Sequence, residues 1–75
     1  SIRDRFREVV NGMAPLEQLI VKERMLPRKP KSRMVIAKEF GITDAKLAKL
    51  EADIKQHILD EMELSGITLY DLKVF

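Results

Sequence analysis

RMVIAKEFGITDAKLAKLEA, residues 33–52, is the stretch on which the reading of this chain turns. Two short runs with apolar residues at helical spacing lie either side of Gly41. Ser32 precedes the first run and Thr43 the second, each placed where a short side-chain oxygen can accept from the free N–H groups of a first helical turn. Gly41 follows the first run, as glycine commonly follows a helix C-terminus. A helix-turn-helix packs two helices steeply across a tight turn. It needs a small residue where the second helix crosses the first, met by Ala37, and a glycine at the turn, met by Gly41. It needs apolar flanks, met by Ile36, Phe40 and Ile42, and inward residues on the second helix, met by Leu47 and Leu50. The alternative is a plain helical hairpin with a glycine turn.

Outward from this motif the second helix continues over about 44–64, with Leu47, Leu50, Ile54, Ile58 and Met62 as its inner stripe. Ser65-Gly66 stops it. Thr68 with Asp71 three residues on resembles a capping box, which predicts a final short turn in LYDLK within a C-terminal extension, 65–75. On the other side, PRKPK (27–31) holds two prolines and is a basic loop rather than helix. Before it, Pro15 starts a helix running to about residue 26, with Leu16, Leu19, Ile20 and Leu26 on one face. Asn11-Gly12 closes an opening helix carrying Ile2, Phe6, Val9, Val10 and Met13. The stripe Phe6, Val9, Leu16, Leu19 and Ile20 is expected in the core. The prediction is an all-α protein, a small helical bundle forming one domain over 1–75.

Composition agrees. Seventy-five residues make one domain at most, and 45% apolar content supplies a modest core beneath a surface rich in charge. There is no cysteine and a single histidine, which argues against disulfides and zinc. No apolar run reaches membrane-spanning length and no charged-then-apolar leader opens the chain, so a cytoplasmic location with no membrane partner is expected. A start at Ser1 suits a fragment of a longer protein. The net charge is only +2, but Arg3, Arg5, Arg7, Lys22, Arg24, Arg28, Lys29, Lys31 and Arg33 all lie in the first half, while acids predominate after it. A phosphate backbone could use that asymmetry, though an ordinary solvated surface also produces it.

Nothing points to catalysis. There is no glycine-rich phosphate loop, nucleophile motif or metal triad. His57 lacks the neighbours of a catalytic site and reads as structural; Asp60, Glu61 and Glu63 read as a solvated helix end. The chain is expected to be a binding module with no cofactor and no small-molecule substrate.

GITDAKLAKLE (41–51) resembles the segment in which bacterial sigma factors of the primary and heat-shock classes carry Gly-Val-Ser/Thr followed by Glu-Arg-Val-Arg-Gln-Ile/Leu-Glu. LEQLIVKERML (16–26) is similar to the helix that precedes it in that family, and the resemblance covers about residues 14–60. It implies the C-terminal promoter-reading domain, a helical bundle that grips the flap of the RNA polymerase β subunit and reads duplex DNA upstream. On that resemblance 44–55 would be the recognition helix. Arg28, Lys29, Lys31, Ser32 and Arg33 would meet phosphate, and Thr43, Asp44, Ala45, Lys46, Ala48 and Lys49 would face the groove. Leu16, Leu19, Ile20 and Arg24 would meet the polymerase.

The chain departs from the family at the groove-facing positions. Ala45 stands for the usual glutamate, Ala48 for an arginine and Lys49 for a glutamine. Arginine reads guanine bidentately, and these residues cannot. Two other readings therefore stay open: a protein-interaction module keeping the fold without reading bases, and a repressor-type helix-turn-helix, which would dimerise on a palindrome. PRKPKSR could equally be a simple polar loop.

Overall fold

The computed structural model describes residues 1–67. Within them the order is α1 (Ile2–Asn11), α2 (Pro15–Ile20) running on into a π-helical turn (Val21–Met25), α3 (Arg33–Phe40) and α4 (Asp44–Leu64), with no strand among the described residues. The expected all-α bundle is what forms. The capping box at Thr68 and Asp71 and the turn LYDLK lie outside the described residues.

Each helix begins where the sequence places a cap. Ser1 Oγ accepts from the Asp4 amide at 3.2 Å, Ser32 Oγ from Val35 at 3.3 Å and Thr43 Oγ1 from Lys46 at 3.1 Å. At α2 no side-chain oxygen is available on Ala14. Pro15 instead removes one orphan donor, and Glu17 Oε1 accepts from the Ala14 amide at 3.1 Å.

Both α3 and α4 end on the same Gly-Ile device. Gly41 sits at φ 68° and Gly66 at φ 79°, both in the left-handed region. Ile42 N donates to Ala37 O at 3.0 Å and Gly41 N to Lys38 O at 3.2 Å; Ile67 N donates to Met62 O at 3.0 Å and Gly66 N to Glu63 O at 2.9 Å. These paired bonds define a Schellman ending, and the isoleucine after each glycine folds back onto the core.

α4 is the spine. Its 21 residues span about 31 Å, most of the 36 Å long axis of the molecule. α1, α2 and α3 each pack on it. The core joins Leu47, Ile54, Ile58 and Met62 of α4 to Val9 and Val10 of α1, Met13, Ile20, Val21, Ile36 and Ala37. The α4 stripe is the one expected, except that Leu50 is only partly buried.

The inward face of α2 is not the one expected. Leu16 is 40% and Leu19 47% exposed, and Leu26 lies outside too; of the expected face only Ile20 is buried, and Val21 joins it. Polar caps set this rotation. Glu17 turns back to Ala14, and Gln18 Nε2 donates to Met13 O at 2.9 Å and to Asn11 O at 3.3 Å, so these two side chains take the side facing the α1–α2 turn. The π-helical turn follows, closed by Leu26 N to Val21 O at 3.1 Å.

A Cβ at Gly41 would touch nothing within 4 Å, so substitution there tests the backbone alone. Gly41→Ala should cost about 1–2 kcal/mol in urea unfolding, the penalty of a left-handed L-residue. Gly41→Asn should recover part of it. An unchanged G41A midpoint would contradict the turn described.

Candidate nucleic-acid interface

The basic loop is anchored by a residue that precedes it. Arg24, in the π-helical turn, donates from Nε to Glu51 Oε1 of α4 at 2.6 Å and from Nη1 to the Lys31 carbonyl at 2.7 Å. The two side chains are 20% and 16% exposed, which shields the pair from solvent screening. One guanidinium thus ties helix, loop and spine together. A planar fork can do this and a lysine cannot.

The cations of the loop are not equivalent. Lys31 Nζ lies 3.5 Å from Glu39 and 3.9 Å from Glu23. Ser32 spends its hydroxyl acceptor on the α3 cap. Arg28 and Lys29 are exposed, and neither forms an ion pair among the described residues. They are the cations of PRKPKSR left for an outside anion.

The starts of α3 and α4 meet through Arg33 and Asp44. Arg33 Nε donates to Oδ1 at 2.8 Å and Nη2 to Oδ2 at 3.2 Å, a bidentate pair open to solvent. The hydrogen bond from Arg33 holds the Asp44 carboxyl below the usual aspartate range, and the same bond raises Arg33. Because the Asp44 value is lowered in the fold, the pair's contribution is present above the ordinary aspartate range and is lost as pH falls through the lowered value. Asp44, placed by the resemblance among the groove-facing residues, is thus paired with Arg33.

Along the first turns of α4, Thr43, Ala45 and Lys46 are exposed and Ala48 is half-buried. Lys49 is exposed 3.7 Å from Asp53, one turn on. The Thr43 hydroxyl accepts from Lys46 N and still has its proton to donate. This face is small, neutral to cationic, and low in bidentate donors of its own.

The residues expected to meet a partner separate into two kinds. Leu16 and Leu19 offer open apolar surface. Ile20 is fully buried and Arg24 is committed to Glu51 and Lys31, so neither presents a free face. Met34 and Val35 of α3 are also exposed, which the sequence reading did not single out. Spacing could have found them, since α3 buries only Ile36 and Ala37.

At the far end of α4, Arg5 donates from Nε to Ser65 Oγ at 2.7 Å, from Nη1 to Glu8 at 3.3 Å and from Nη2 to Glu61 at 3.4 Å. It fastens α1 to the spine, a role not apparent from sequence. With Glu8, Val9, Gly12, His57 and Glu61 it lines a shallow cleft of about 200 Å³. Among the described residues no three His, Cys, Asp or Glu side chains are grouped to hold a metal ion, and no helix is long and apolar enough to cross a membrane. Comparison with family models, curated proteins and solved structures finds no match for this chain.

Arg24→Ala should cost about 1.5–3 kcal/mol, the range for a hydrogen bond to a charged group. It should also speed amide exchange across residues 27–32 relative to α4. Unfolding curves with residue-resolved exchange check both. A variant of wild-type stability with an unchanged loop would contradict the anchoring role.

Proposed function

We propose that this chain is a DNA-binding module of transcription initiation, acting as a helix-turn-helix in the manner of a sigma-factor C-terminal domain. One observation carries the reading. The caps of α3 and α4 lie at adjacent helix starts, joined by Arg33 and Asp44, with the uncommitted cations Arg28 and Lys29 in the loop that leads into them. A recognition helix works by its first turns in the major groove, while nearby cations fix its register on the phosphates. α4 supplies Thr43, Asp44, Ala45, Lys46, Ala48 and Lys49 for the first role, and the loop supplies the second.

The resemblance of 41–51 to the sigma-factor segment supports placing the module on RNA polymerase, with the β flap as its protein partner and the cytoplasm as its location. The open surface of Leu16 and Leu19 is the part of the proposed partner face available for that contact. It also favours a second reading, a protein-interaction module that keeps this fold without reading bases. In either case the chain binds rather than catalyses.

Titrating the protein against a promoter-like duplex and a scrambled duplex over a range of salt tests the reading. The wild type should bind with a steep salt dependence and prefer the promoter-like duplex. Replacing both Arg28 and Lys29 by alanine should weaken binding to both duplexes alike and lower the slope of log K against log salt by about 2, since each phosphate contact contributes roughly 0.9. Absence of binding to either duplex at low salt would overturn the DNA reading in favour of the protein-interaction module.

A further inference from the structure

The face of α4 lacks the arginine that would read a guanine, yet an arginine sits at its tip. Arg33 belongs to α3, but its bond to Asp44, the first residue of α4, holds its guanidinium at the mouth of the proposed recognition helix. The edge it uses matters. A guanidinium carries five N–H donors in a fixed plane, and Asp44 takes the side formed by Nε and one hydrogen of Nη2. The end of the fork, one hydrogen each from Nη1 and Nη2, remains free and points away from the carboxylate. That end matches the paired acceptors O6 and N7 of guanine in the major groove.

Resting on the DNA-binding reading above, we propose that Arg33 is a guanine-reading residue of this domain and that Asp44 is the positioning residue that presents its fork. The carboxylate fixes the plane of a side chain that would otherwise sample many rotamers, so less freedom is lost when the base is bound. It also explains an acid at the start of a helix meant to approach phosphate. Asp44 opposes the backbone electrostatically while improving discrimination among bases. Both side chains are open to solvent, so the fork is accessible without rearrangement.

Affinity and specificity should therefore move in opposite directions when Asp44 is removed, and this separates the proposal from simple charge effects. The probe is a pool of duplexes randomised over eight base pairs, selected on wild type, Arg33→Ala, Arg33→Lys and Asp44→Ala, with helicity of each variant checked by circular dichroism. Wild type should enrich guanine at one position. R33A and R33K should flatten that position by roughly five- to hundredfold, the discrimination of one bidentate contact. D44A should flatten it too, while binding the unselected pool as tightly as wild type or more so. If D44A binds more tightly with the guanine preference intact, Asp44 is only a repelling charge and the proposal fails. If R33A keeps the preference, Arg33 does not read the base and the proposal fails. A wild type that retains no duplex overturns the DNA-binding reading itself, and this inference with it.

Discussion

Among the described residues, three helices are held by one apolar seam on the fourth. Leu47, Ile54, Ile58 and Met62 recur along α4 at helical spacing, and each is buried beneath a shorter helix or a turn. α1 and α2 are short, and helices of six to ten residues are unstable alone. Their order comes from this seam. Charged side chains then fix where along it each element sits: Arg5 at the C-terminal end, Arg24 at Glu51, and Arg33 at the first turn.

The charge pattern has a consequence for function. The first half of the chain is rich in cations, but much of that charge is spent inside the fold. Arg5, Arg24, Lys31 and Arg33 all face carboxylates on other elements. What remains for a polyanion is narrower than composition implies: Arg28 and Lys29 lie in the loop that leads into α3, while Arg3, Arg7 and Lys22 are exposed elsewhere. Binding through so few uncommitted cations would be modest in non-specific strength, so any selectivity would depend on how well the few donors there are aimed.

Local signals made much of the fold legible in the sequence. Ser32, Thr43, Gly41 and Ser65-Gly66 act through neighbours within a few residues, and the helix boundaries they predict are those observed. The α4 stripe was legible because a helix of this length repeats its period several times. α2 was not, because it is short and its leucines fit a plausible face, while Glu17 and Gln18 turned that face outward by capping the preceding turn. The candidate site was legible in outline only. The loop and the helix start could be placed, but the pairing of Arg24 with Glu51 and of Arg33 with Asp44 joins residues on different elements, 27 and 11 positions apart. No periodicity carries such contacts. They decide which cations are free.

The most direct test of the account is a map of amide chemical shifts in the isotopically labelled chain as a short promoter-like duplex is added. Changes should concentrate at Arg28, Lys29, Arg33 and Thr43 to Lys49, with the α1 face of the spine unmoved. Changes confined to Leu16 and Leu19, or none at all, would contradict it.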